Sequence, residues 1–204
     1  MYAQHPISGV VEYTTASTLA PDTLKISKHK KLQNILSKEA YFKLNFTNKA
    51  SLYQHKGIEK MASDTENALQ ISFLKSFGGG DGIFYYHRDD KKTEVQKHML
   101  GDLYLISYNS PDWKLLNETK KIGNYTCYKA IQNLKSSITV WYTPEIPVPF
   151  GPKTYNGLPG MILEVIMGDI RIFASHVSLN PTEIQNIQKP EKGIKISEAA
   201  FNKN

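Results

Sequence analysis

The 204 residues carry 25 Lys and Arg against 19 Asp and Glu, a formal charge of +6, with 40% hydrophobic and 22% charged residues. That balance excludes wholesale disorder, and no apolar run approaches the ~20 residues of a membrane-spanning helix, since even the apolar stretch 161–167 is interrupted by Glu164. Of the 25 cations only Arg88 and Arg171 are arginines, so the planar fork that reads base edges and phosphates is scarce, and no nucleic-acid partner is expected.

The amino terminus, Met1-Tyr2-Ala3-Gln4, lacks the charged and apolar regions of a signal peptide. It fits a cytosolic start and a processed mature chain equally well. Residues 8–15, rich in β-branched and aromatic side chains, predict a first strand. Over 27–38 the spacing of Leu32, Ile35 and Leu36 after Ser27, a suitable N-cap, predicts a helix, with Lys28-His29-Lys30-Lys31 as its solvated face. Ala40, Phe42, Leu44 and Phe46 then alternate with polar or exposed-type neighbours, the mark of a half-buried strand. Asn48-Lys49 turns it into a partner over 50–56. A short helix is expected around 67–77, followed by a flexible turn at Gly78-Gly79-Gly80-Asp81-Gly82. The Lys-Ser/Thr that a phosphate-cradling loop requires is missing after those glycines.

A meander follows. Strands are predicted over 83–88, 93–98, 103–108, 113–122, 125–131 and 138–142, separated by short polar turns too brief for crossover helices. In 142–152 four prolines fix φ and remove amide donors, so this segment should be a stiff extended or polyproline-like arm. Pro159-Gly160 suits the centre of a type II turn. Residues 162–167 and 170–179 should pair across Gly168-Asp169. Ser197-Glu198-Ala199-Ala200-Phe201 reads as the capped start of a last helix, cut short at Asn204 as if some natural sequence were missing.

The run Gly157-Leu158-Pro159-Gly160-Met161-Ile162 resembles the GLPGLI family, uncharacterised envelope proteins of Gram-negative bacteria named for that motif. Trp113-Lys114-Leu115, residues 121–130 and Trp141-Tyr142-Thr143-Pro144-Glu145-Ile146-Pro147 extend the likeness over about 83–179. Met161 stands where the family name has Leu, an exchange that keeps volume and apolarity. The resemblance implies one domain over 1–204, a processed signal peptide and a place in the periplasm or at the cell surface. It also implies a mainly β fold: a curved antiparallel half-barrel, similar to outer-membrane lipoprotein carriers, with one to three helical segments. It supplies no catalytic residues.

The residues themselves offer no catalytic constellation. Cys127, the single cysteine, lies in an alternating strand and reads as a small core residue rather than a nucleophile. No G-x-S-x-G elbow or H-E-x-x-H pair occurs; His87 with Asp89 and Asp90 is ordinary hairpin-tip chemistry, and no metal or cofactor is expected. Glu145 and Glu164 make a carboxylate pair for a hydrolase only if the fold brings them together. The aromatic cluster Trp113, Trp141, Tyr142, Phe150 and Tyr155 reads first as core, or as staples for the proline arm. On a curved sheet the same rings offer a groove for a lipid tail, a peptide or a partner protein. The leading expectation is a non-enzymatic envelope protein that binds or escorts such a ligand; the alternatives are the hydrolase and a structural accessory protein.

Overall fold

The computed structural model describes residues 7–18, 39–56, 72, 74–132 and 138–201. The helix expected over 27–38 lies outside the described residues, and of that expected over 67–77 the described part is helical at 74–78. Among the described residues twelve strands follow in order: β1 Gly9–Ser17, β2 Ala40–Phe46, β3 Ala50–His55, β4 Ile83–His87, β5 Lys92–Met99, β6 Asp102–Asn109, β7 Trp113–Ile122, β8 Tyr125–Gln132, β9 Ile138–Thr143, β10 Met161–Met167, β11 Ile170–Leu179 and β12 Ile194–Ser197. A last helix, Glu198–Phe201, has the expected cap: the Ala200 amide donates to Ser197 Oγ at 3.3 Å.

The strands form one sheet in the order β12-β6-β5-β4-β3-β2-β1-β11-β10-β9-β8-β7. The fold is therefore mainly β, an open, curved sheet, as expected. Period-2 patterning builds it: Ala40, Phe42, Leu44 and Phe46 are buried, while Tyr41 between them is 42% exposed. Tight hairpins use glycine where φ must be positive, as at Gly123 (φ 55) and Gly168 (φ 58).

Curvature follows from connectivity. Two meanders, β1–β6 and β7–β11, grow in opposite directions from the β1/β11 pair, yet β6 and β7 are joined by Ser110, Pro111 and Asp112 alone. An extended chain spans at most ~3.6 Å per residue, so Asn109 and Trp113 lie within about 14 Å of each other. The sheet must curl until its two ends face across a seam.

Residues 144–160 occupy that seam and the interior behind it, and none is in a strand, as five prolines require. Ile146, Val148, Phe150, Tyr155 and Leu158 are buried, while Pro147 points outward. The arm is not polyproline throughout: the Val148 amide donates to Ile146 O at 2.8 Å, an i→i+2 bond that folds a γ-turn around Pro147. The expected type II turn at Pro159-Gly160 is also corrected. It needs a positive φ at Gly160, and in this motif Gly157 has one (φ 89) while Gly160 does not. Glycine is required at 160 for a different reason, since a methyl there would collide with the Thr143 carbonyl and lie 2.8 Å from Pro144 N.

One element had no forerunner in the sequence. After β11 the chain crosses the outer face of β2–β6 as a strap, marked by Gln185 accepting from Asn45 Nδ2 (3.2 Å) and by the Lys192 carbonyl accepting from Gln96 Nε2 (2.8 Å). It then adds β12 parallel to β6, so the sheet is mixed rather than wholly antiparallel.

Candidate functional site

The five aromatic candidates do not converge on one groove. Phe150 is fully buried, its ring 6.1 Å from Phe46 and 5.9 Å from Tyr86. Tyr155 is also buried; its ring lies 6.4 Å from that of Trp113, its hydroxyl is 3.1 Å from Met167 Sδ, and burial pushes its pKa up to about 12. Tyr142 packs on Tyr128 at 6.1 Å. Trp141, the preceding residue on β9, lies beneath Lys120 Nζ at 4.5 Å. Alternation along the strand puts Trp141 and Tyr142 on opposite faces of the sheet.

The seam is organised by a residue the sequence did not single out, Asn156, only 1% exposed. Its Nδ2 donates to Thr93 Oγ1 on β5 (2.8 Å) and to Thr154 O (2.9 Å), its Oδ1 accepts from Ser110 Oγ (2.6 Å), and its carbonyl accepts from Trp113 Nε1 (2.8 Å). One asparagine thereby ties β5, the β6–β7 link and β7 to the arm. The Asn156-Gly157 pair was the only signal in the sequence; the burial of Asn156 and the positive φ of Gly157 emerge in the fold.

Outside this knot the motif opens onto solvent. Gly157, Leu158, Pro159 and Gly160 form one side of a groove of about 730 Å³, with Pro147 and Pro149 of the arm, Pro111 and Ser110 of the link, and Tyr86, Arg88, Asp89 and Lys91 of the β4–β5 hairpin. Proline rings present flat apolar surface and no amide hydrogen, whereas the hairpin supplies two cations and one carboxylate at the lip. The next motif residues, Met161 and Ile162, are instead buried at the start of β10. Tyr13 holds them by donating its hydroxyl to Ile162 O at 2.6 Å.

The carboxylates are each engaged. Glu145 accepts the Thr126 amide at 2.7 Å and so orients the arm against β8. Glu164, nearly buried, is paired with Lys120, and Arg171 Nη1 lies 3.7 Å from its other oxygen. Cys127 is fully buried; burial above all raises its thiol to about 11, against a smaller lowering by Lys120. His87 Nδ1 lies 3.6 Å from Asp90 Oδ2, and among the described residues no group of three or more His, Cys, Asp and Glu side chains has the arrangement of a metal site. Nor is any described helix long and apolar enough to cross a membrane.

Residues 132–164 match the model of a family described as a protein of unknown function (Porph_ging), a stretch that covers β9, the arm and the motif. No curated protein matches the chain. Among solved structures it is similar to PNGF-II in two crystal forms. In space group P21 the TM-score is 0.60 at 14% identity, over 96% of this chain and 33% of that one; in space group C2 it is 0.59 at 13% identity, over 98% and 32%. This chain thus spans about a third of the length of those chains, and the likeness is one of fold.

Proposed function

We propose that this is a non-enzymatic cell-envelope protein of the GLPGLI type, exported to the periplasm or cell surface, which binds an extended segment of a partner protein in the groove beside its motif. The observation that carries the reading is the groove itself. Its apolar side is lined by proline rings and Leu158, and its lip is charged, an anatomy suited to a peptide chain. Rigid walls lower the ordering cost of binding. The family-model match over 132–164 supports the family assignment because it contains the whole motif. Of the occupants weighed from sequence, a lipid tail is the weaker candidate. Tyr142, Phe150 and Tyr155 are each buried against other side chains, and a tail would have to displace those contacts.

A photo-crosslinking residue placed at exposed Pro159 and expressed in the native host tests the proposal, with the same residue at Leu100, far along the β5–β6 turn, as the control. A discrete protein adduct at 159, absent at 100 and lost when Arg88→Glu and Lys91→Glu are added, is the expected result. Equal adduct patterns at both positions would reject it.

A further inference from the structure

The glycine turn before β4, which the groove leaves unused, is flanked by two lysines brought together by the fold. Lys153 belongs to the arm and takes a left-handed backbone (φ 56), unusual for a side chain of its length. Its Nζ donates to the Phe77 carbonyl at 3.0 Å, in the last turn of the helical residues 74–78, where the helix end is negative. Its stem passes the turn: a methyl on Gly79 would sit 3.5 Å from Lys153 Cγ. Lys97 approaches from the other side. Thr93 and Val95 on β5 point inward and are buried, so by alternation Lys97 is the next inward residue, and the pairing of Ile83 with Gln96 brings it beside Gly82. Gly82 in turn donates its amide to Gly79 O at 3.2 Å. The turn therefore lies between the two lysines, and Lys97 is close enough to Lys153 to repel its charge.

Among the described residues neither ammonium forms an ion pair with a carboxylate. Lys97 Nζ lies 4.4 Å from the centre of the Phe201 ring, and Lys153 Nζ 5.8 Å from that of Tyr155. Among the described residues the carboxylate on the turn, Asp81, is paired with Lys75 and its side chain is 82% exposed. The turn's own amides are engaged, Gly79 to Ser76 O and Gly80 to Lys75 O, so the backbone does not form a phosphate cradle. Each lysine retains N–H donors with no acceptor among the described residues, because an aromatic face takes none up as a full hydrogen bond. Burial lowers the pKa of both amines, and Lys97 lowers that of Lys153 further, to about 8. Two half-buried like charges in one neighbourhood are unfavourable until something negative sits between them.

We propose that Lys97 and Lys153, on either side of the Gly79–Gly82 turn, form a binding site for a phosphate-type oxyanion, free or as the headgroup of an amphiphile. The site is separate from the motif groove and does not depend on the function assigned there. Bound oxyanion would accept the spare donors of both lysines at once, with the Tyr155 and Phe201 rings limiting access of water.

Pulse acetylation with trace acetic anhydride, read lysine by lysine by mass spectrometry, tests this on the whole chain. Inorganic phosphate and dodecyl phosphate are the two probes, the second below its critical micelle concentration. The expected result is at least fivefold protection of Lys97 and Lys153 together, with Lys43, Lys114 and Lys195 unchanged. In Lys153→Met the protection of Lys97 should disappear, and in Lys97→Arg it should persist at Lys153. Protection by inorganic phosphate identifies a free-oxyanion site, and protection by dodecyl phosphate alone identifies a headgroup site. Absence of protection by both probes, or equal protection of all lysines, overturns the proposal.

Discussion

Cys127 shows how a single side chain decides between two chemistries. A nucleophilic thiol needs a depressed pKa and an approach path, yet this one is fully buried near the start of β8 and is held protonated, its pKa raised to about 11, chiefly by desolvation. Because the folded-state value lies above the ordinary 9.0, the folded protein binds this proton more tightly than the unfolded chain. The associated stability is complete below pH 9 and is lost as pH rises from 9 to about 11, on the order of 2 kcal/mol in all. We expect the stability difference between wild type and Cys127→Ala, measured by urea denaturation, to be constant from pH 6 to 8.5 and to shrink above pH 9. Buried tyrosines such as Tyr13 titrate in the same direction but are common to both proteins, so the difference isolates the thiol. A difference that instead grows between pH 6 and 8 would mean a depressed thiol pKa and a reactive thiolate, and would reopen the enzymatic reading.

Among the elements, those written in local patterns were legible and those made by distant pairing were not. The strand Trp113–Ile122 matches its predicted span because hairpin partners are close in sequence and glycine or polar pairs mark both ends. The non-strand character of 144–160 was equally legible, since proline removes ladder donors whatever the tertiary context. In contrast, β12 is four mostly exposed residues whose partner, β6, is about ninety positions upstream, and no local period announces such a pair. The site was less legible than the sheet. The five aromatic rings were visible but scatter over both faces, and Asn156, Lys97 and Lys153 carry meaning only once the sheet is curled. One glycine makes β12 possible: Gly193 has φ 123, and a methyl there would lie 2.8 Å from Tyr104 C and 3.0 Å from Leu103 O, backbone that cannot yield. In Gly193→Ala, β12 should detach from β6. Amide exchange at Tyr104–Ser107 should then accelerate at least tenfold, with little change at β1 and β11. Unchanged exchange at β6 would show that the edge pair does not depend on this glycine.

At the scale of the whole molecule, the weak point is the seam. The β1/β11 junction joins the two meanders by an antiparallel ladder with one bulge between Glu12 and Tyr13, whereas β6 and β7 meet only through a three-residue link and the arm packed behind it. Closure there depends on side-chain bonds, and most of them pass through Asn156. Asn156→Ala removes the donor to buried Thr93 and one of the acceptors of Ser110, which keeps the Lys91 carbonyl at 2.9 Å, so a loss of about 1–3 kcal/mol is expected. The order of events is the sharper test. With the knot gone, the seam should open at lower urea than the β1/β11 junction, and Trp113, whose indole N–H is held at the seam by the Asn156 carbonyl, should report it first. Fluorescence and far-ultraviolet circular dichroism, coincident in the wild type, should separate in the variant, and Trp113→Phe should abolish the early fluorescence step while leaving the later one from Trp141. If the two probes stay coincident and only the midpoint moves, the curled sheet closes as one cooperative unit and the arm, rather than Asn156, holds its ends together.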